Sequence, residues 1–341
     1  MTSRTYYIAD LATKGSGTGA ESVLKGADKA CAETATATGS LAPAGTYVAW
    51  ISSRSRDALG RLSAAHGGVT PRGWKRVDGR PVVDQIPSGS NAHIFYPVSI
   101  TETGQAPPHV WVWTATDALS QHDSTRDCMD WTTNSSSSFS IVGLPAAGGD
   151  NWSGGVAAPC DQALPLYCMQ VDHVVPVTVP SPPANAKRAF VSPPFSPASG
   201  LAGADTLCAN DAQSAGLTGT FRALLATTTA TAASRFHTTN DRPYVRPDGV
   251  VLAATDGDLF LATPNTLAPI NVDLHGNFSD GSIYTGAPGP SQLGTQTCAN
   301  WSDGTAASQA VFGTANYTGL NAFSGLTDAC NRQGSVYCLQ D

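Results

Sequence analysis

A four-cysteine pattern that occurs twice constrains this chain more than any other feature. Cys128, Cys160 and Cys168 are separated by 32 and 8 residues, and so are Cys298, Cys330 and Cys338. Each bracket opens on Cys-x-x-Trp, reaching Trp131 and Trp301, and closes on a Tyr-Cys pair, Tyr167-Cys168 and Tyr337-Cys338. One more cysteine lies upstream of each bracket on a shared phrase, Gly-Ala-Asp-Lys-Ala-Cys31 and Gly-Ala-Asp-Thr-Leu-Cys208. Repeats of this size are domains rather than solenoid units, so the chain reads as an internal duplication. The halves fall at 1–172 and 188–341, joined by a Pro-rich, semi-rigid linker over 173–187 that carries Pro176, Pro180, Pro182 and Pro183.

Each half repeats the same order of elements. In the first, residues 5–9 read as a strand. A helix follows from Ala20 to about Thr36, with Val23, Leu24, Ala27, Ala30 and Cys31 on one face. Thr46–Ile51 and Val110–Trp113 are buried strands, and Leu166–Met169 is a short last strand. Residues 52–80 show no clear element, and 114–160 reads as a long irregular loop that needs staples to stay ordered. In the second half, Ala189–Val191, a helix from Leu201 to about Ala215 and Thr220–Leu225 repeat this order. Arg80-Pro81-Val82-Val83 aligns with Arg242-Pro243-Tyr244-Val245, and Val112-Trp113-Thr114 with Ile283-Tyr284-Thr285. On that alignment the first half carries about twelve extra residues. Mixed strands and one main helix per half make an α+β fold.

The composition excludes several classes. The net charge is −7, which disfavours nucleic-acid binding. No apolar run reaches the roughly 18–20 residues of a membrane span, so no membrane insertion is expected. Eight cysteines in matched sets suggest disulfides in an oxidising, extracellular or surface compartment, although the first residues do not read as a secretory signal. Four cysteines per half allow three pairings. Zinc is disfavoured because no Cys-x2–4-Cys spacing occurs. Lipase, metalloprotease, phosphate-loop and dinucleotide signatures are absent, so no enzymatic activity and no cofactor are expected. His122-Asp123 with Asp127 is the nearest approach to a metal-ligand cluster, and a polar loop turn explains it equally well.

The phrase leading through Gly45-Thr-Tyr-Val-Ala-Trp-Ile-Ser-Ser-Arg54, the matching Ala215–Leu225 stretch, the Cys-x-x-Trp pairs and the closing Tyr-Cys pairs resemble endostatin and endostatin-like bacterial surface proteins. The resemblance implies two tandem C-type-lectin-like domains with long loops. It also implies nested disulfides, Cys31–Cys168 around Cys128–Cys160 and Cys208–Cys338 around Cys298–Cys330. The Glu-Pro-Asn, Gln-Pro-Asp and Trp-Asn-Asp tripeptides of calcium-dependent lectins are missing. So are the N-terminal histidines that hold zinc in endostatin, since the first histidine here is His66.

The remaining functional signal is basic. Residues 54–80 hold Arg54, Arg56, Arg61, Arg72, Lys75, Arg76 and Arg80 against Asp57 and Asp78, a local charge of +5. Arginines after the matching strand bind heparin-like polyanions in endostatin, and the planar guanidinium fork suits sulfate or carboxylate. The expected ligand-binding set is Arg54, Arg56, Arg61, Arg72, Trp74, Lys75 and Arg76, with Trp74 at the surface. The expected function is non-enzymatic adhesion or binding to a polyanionic glycan or extracellular protein. A structural subunit that self-assembles into a coat or filament is the second expectation.

Overall fold

The computed structural model describes residues 1–86 and 93–341 and divides the chain into two units, Met1–Thr178 and Val179–Asp341. Each is a mixed α+β unit built on small sheets and two disulfides. The Pro-rich segment does not behave as a free spacer throughout, because Val177 is buried on the first unit and donates its amide to Asp84 at 2.9 Å.

In the first unit, helices α1 (Ile8–Lys14) and α2 (Ala20–Ala35) pack closely. A Cβ at Gly26 would lie 1.8 Å from the Leu11 carbonyl oxygen, so only glycine permits this approach. The predicted inward face of α2 is the buried one. Residues 5–9 are not a strand. Tyr6 makes a single bridge to Leu164, and the Asp10 carboxylate then accepts the Tyr7 amide at 3.2 Å and starts α1. Strand β1 is shorter than predicted, Tyr47–Ala49. Residues 52–80, predicted to lack structure, contain helix α3 (Ala58–Ala65). Its N-cap, Asp57, accepts the Gly60 amide at 2.6 Å. Strands β2 (Trp74–Lys75) and β3 (Pro81–Val83) form a hairpin.

The predicted irregular loop over 114–160 is also partly ordered. Strands β4 (Val112–Trp113), β5 (Phe139–Gly143) and β6 (Val156–Pro159) make an antiparallel sheet. Its Ser- and Gly-rich composition hid the alternation that marks a strand. Strand β7 (Cys168–Gln170) closes the unit and pairs with β1.

In the second unit, β8 (Lys187–Val191) leads to a helix, Gly200–Ser214. Strands β9 (Phe221–Ala223), β10 (Tyr244–Val245), β11 (Val251–Ala253), β12 (Ser282–Tyr284), β13 (Gln309–Thr314), β14 (Leu326–Ala329) and β15 (Tyr337–Gln340) follow. One sheet is five-stranded in the order β11-β10-β8-β15-β9, and a second is β12-β13-β14. The second sheet matches β4-β5-β6 of the first unit. In both, a buried threonine ties the sheet to a crossing loop, Thr114 to the Ser153 carbonyl and Thr285 to the Phe323 carbonyl, each at 2.7 Å.

Disulfides join Cys31–Cys168, Cys128–Cys160, Cys208–Cys338 and Cys298–Cys330, the pairing the resemblance implies. The inner bridge of each unit anchors an unusual turn. Cys128 to Trp131 and Cys298 to Trp301 are left-handed at all four residues, with φ between 50° and 67°. For L-residues this costs about 1–2 kcal/mol each, so the turns persist only because they are pinned. Trp131 Nε1 donates to Ser52 O at 2.7 Å and Trp301 Nε1 to Ala226 O at 2.8 Å.

No free thiol is expected, so thiol titration in denaturant without reductant gives zero equivalents. In the chain-entropy picture each bridge contributes about 3–5 kcal/mol. Reduction therefore lowers the denaturation midpoint of both units, and a fully reduced chain with unchanged stability would contradict this.

Candidate functional site

The seven residues of the predicted basic site do not form one patch. Arg61 is buried on the inner side of α3, where its guanidinium grips both oxygens of Asp28 at 2.7 Å and donates to the carbonyls of Ala49 and Ile51. Arg76 is also buried, pairing with Asp78 and reaching Pro97 O and Ser99 Oγ. Trp74, expected at the surface, is only 7% exposed and belongs to a core cluster with Trp50, Val82 and Met169. Arg72 pairs with Asp84, and Arg54 with Asp127 at 3.1 Å. Arg56 and Lys75 are exposed and have no ion pair among the described residues. The local charge is thus largely neutralised in place.

The second unit explains why. Asp205 accepts the Ala223 amide at 3.0 Å and the Arg235 guanidinium at 2.5 Å, while Arg235 donates to Ala223 O. Asp28 accepts the Ala49 amide at 2.9 Å in the same way. Arg61 and Arg235 therefore match, each twelve residues after its strand alanine. Arg246, completely buried, pairs with Asp248 and contacts Pro269 O and Asn271 as Arg76 does with Asp78, Pro97 O and Ser99. Trp74-Lys75-Arg76 consequently matches Tyr244-Val245-Arg246, and the alignment of Arg80 with Arg242 is corrected. The interval from strand alanine to the second arginine is 27 residues against 23, so the first unit has four extra residues, not twelve. The aspartate of the repeated Gly-Ala-Asp phrase was the sequence signal for this clamp.

Four of the predicted residues, Arg72, Trp74, Lys75 and Arg76, share another feature. They line a cavity of about 450 Å³ in the first unit, together with Met1, Tyr47, Val82, Val98, Ile100, Met169, Gln170 and His173. The walls are mainly apolar, and Lys75, Arg72 and His173 bring cationic or titratable groups to it. Trp74 Nε1 is buried with no hydrogen-bond partner among the described residues, an uncommon state for a donor of this kind. Burial, together with the Asp172 carboxylate, pushes the Tyr47 phenol up to about 12, so it stays protonated and donates to Pro43 O at 2.8 Å. Gly73, at φ +82°, lets the Val175 carbonyl pass the cavity's edge, since a Cβ there would sit 1.7 Å from that oxygen.

His122, Asp127 and Asp130 bring potential metal-ligating atoms within 4.8 Å of one another. Arg54 already occupies the group, donating its side chain to Asp127 and its amide to Asp130. In the second unit, Asn300 accepts the Thr228 amide at the equivalent place, without a carboxylate. The shared role is to hold the left-handed turn against the preceding loop.

Residues 195–318, a little over a third of the chain and all within the second unit, match a family described only as a protein of unknown function, DUF1554. No curated protein matches the chain.

Two predictions follow from the buried clamps. Arg61→Ala should destabilise the first unit by about 3 kcal/mol, the lower end for breaking a buried pair because Asp28 keeps some water contact. Arg56→Ala should change it by less than about 0.5 kcal/mol. Urea unfolding of both variants checks the contrast, and equal effects would contradict it.

Burial alone would raise the Asp78 pKa, but the Arg76 and Arg80 guanidiniums outweigh it and hold the carboxyl at about 2. The folded value lies below the unfolded one of 3.8. The stabilisation is therefore complete above about pH 4 and is lost as pH falls through about 2. Thermal unfolding followed by circular dichroism should show a falling midpoint across this window, and Asp78→Asn should flatten part of the fall.

Proposed function

We propose that this chain is a non-catalytic recognition protein of the cell surface or extracellular space, with two tandem endostatin-like, C-type-lectin-like units, and that the first unit takes a protein ligand in its apolar cavity. The cavity is the observation that carries this reading. Concave, largely apolar sites with a few placed polar groups are the usual form of a binding site, and here the orphan indole donor of Trp74 and the Lys75 ammonium supply the polar points. Four disulfides and the lack of any helix, among the described residues, long and apolar enough to cross a membrane suit a secreted or surface-held protein. The duplicated helix, clamp and closing strand support the endostatin-like reading of each unit.

A polyanionic glycan is the weaker ligand class. Arg54, Arg61, Arg72 and Arg76 already hold carboxylates, so an incoming sulfate would have to displace them. The self-assembling subunit stands as the second reading, favoured by strand edges in the first unit that, among the described residues, pair on one side only.

Two probes on the full chain separate protein-type from polyanion-type binding. The dye anilinonaphthalene sulfonate should saturate one site with enhanced emission, and Val98→Trp, which fills the cavity, should abolish that signal. The chain should leave a heparin column below physiological salt, where screening acts over about 8 Å. Retention above that salt, lost in Arg56→Ser with Lys75→Ser, would restore the polyanion reading and overturn this one.

A further inference from the structure

The first unit carries a second hollow, which shares no lining residue with the apolar cavity. It is an open groove of about 540 Å³ between α2 and α3. Its walls are mainly polar and bear charges of both signs, Glu21, Lys25 and Asp28 on α2 and Arg56 just ahead of α3. The buried side chains of Leu24 and Val48 give it an apolar floor, and Ala64 adds an apolar stretch of wall.

The charges differ in how far they are already satisfied. Arg61 is spent, because its guanidinium holds Asp28 and the carbonyls of Ala49 and Ile51. Asp28 is not, since its side chain is 36% exposed and its Oδ2 accepts only from Arg61 among the described residues. Glu21 and Lys25 form a loose pair at 3.5 Å, with both side chains largely in solvent. Arg56 rests its stem against Gly60, where a Cβ would lie 3.4 Å from Arg56 Cγ. Its exposed guanidinium has no ion pair among the described residues.

The second unit shows that the fold does not need these charges. Ala49 to Arg61 aligns without a gap on Ala223 to Arg235. Two contacts between fix the match, the indole acceptors Ser52 and Ala226 and the amides of Arg54 and Thr228 held by the left-handed turn. The Gly-Ala-Asp phrases align the two long helices. Glu21, Lys25 and Arg56 then stand opposite Ala198, Ala202 and Ala230. Val48 stands opposite Arg222, whose guanidinium donates to Arg235 O at 2.7 Å. Helix α3 is reduced there to a single turn, Ala233–Arg235. Arg61 and Arg76 are 15 residues apart and Arg235 and Arg246 only 11, so the extra residues of the first unit follow Arg61, where α3 continues. The clamp belongs to both units, whereas the three charges around it and the α3 wall belong to the first alone.

We propose that this groove binds a small zwitterion, a free α-amino acid with an aliphatic side chain. Arg56 is the cation without a partner, and its planar fork takes a carboxylate through two parallel hydrogen bonds. Glu21 and the open side of Asp28 accept the ammonium, which has three donors to give. Leu24, Val48 and Ala64 lie beneath the side chain. A ligand of one sign would meet like charges in the same groove, which costs affinity, whereas a ligand bearing both is matched. No aromatic residue lines the groove, so it offers no ring on which a sugar could stack. The site goes beyond the protein-binding reading of the apolar cavity and does not depend on it.

Saturation-transfer NMR on the full 341-residue chain, with each standard L-α-amino acid in turn at millimolar concentration, selects the probe, and calorimetry then measures it. Alanine, valine, leucine or isoleucine should bind saturably, one molecule per chain. The N-acetyl derivative lacks the ammonium and the amide derivative lacks the carboxylate. Each should bind at least about tenfold more weakly, because each forfeits hydrogen bonds to a charged group. Arg56→Ala and Glu21→Ala should weaken binding at least as much with an unchanged melting temperature, since both side chains are exposed. Val98→Trp, which fills the apolar cavity, should leave the affinity as it was. Absence of binding by all four aliphatic amino acids, or unchanged binding by Arg56→Ala, would overturn the site. Equal binding of the N-acetyl derivative would reduce it to an anion site, and equal binding of the amide to a cation site, and either overturns the zwitterion. Loss of binding in Val98→Trp would place the ligand in the apolar cavity and overturn the groove.

Discussion

The disulfide between the long helix and the closing strand is the constraint on which both units depend. Cys31–Cys168 and Cys208–Cys338 each close more than a hundred residues of chain. Each fixes the last strand against the helix, and the last strand then sets the register of the sheet. The aspartate three residues before each helix cysteine completes the frame. It caps the amide of the neighbouring strand and draws in an arginine that closes over the strand's carbonyls. With the frame held this way, the rest of each unit can be loop. Even a left-handed turn of four L-residues survives, because the inner disulfide and a buried indole leave it no alternative.

Much of this frame was legible in the sequence because it is covalent or periodic. The cysteine intervals announced two units, and the spacing of Val23, Leu24, Ala27, Ala30 and Cys31 announced the helix and its buried face. Charge was the misleading signal. Arg61 and Arg76 read as solvated because arginine usually is, yet each lies inside the protein against an aspartate. Their partners, Asp28 and Asp78, are distant or unremarkable in sequence, and only the duplicate clamp at Asp205–Arg235 shows that the pair belongs to the fold. Alignment of the halves failed for a related reason. Arg-Pro-Val-Val and Arg-Pro-Tyr-Val look alike, but side-chain hydrogen bonds match Arg76 to Arg246. Trp74 followed the same error, since its place in a basic stretch outweighed its apolar bulk.

The duplication also makes the two units controls for one another. Where they agree, in the clamps, the turns and the bridges, the feature belongs to the architecture and needs no ligand to explain it. The contact of the turn with the preceding loop, through Asp130 in one unit and Asn300 in the other, falls in this class. Where they disagree, function can reside. Among the described residues, β10 and β15 share one sheet through β8 in the second unit, whereas β2-β3 and β1-β7 are separate two-stranded sheets in the first. The first unit also holds an apolar cavity lined by Lys75 and by Trp74, whose indole N–H has no hydrogen-bond partner among the described residues.

The central claim is therefore that, among the described residues, β7 pairs on one side only, with β1, while its counterpart β15 is an interior strand. Amide hydrogen exchange resolved by residue tests it most directly. In an antiparallel strand successive amides point to opposite sides. The Val171 amide donates to Thr46 O on the β1 side, so the Cys168 and Gln170 amides face away from β1. Their counterparts, Cys338 and Gln340, face β8. The account predicts fast exchange at Cys168 and Gln170 beside protected Met169 and Val171, and protection at Cys338 and Gln340 close to that of global unfolding. Equal protection of Cys168 and Cys338 in the isolated chain would contradict it.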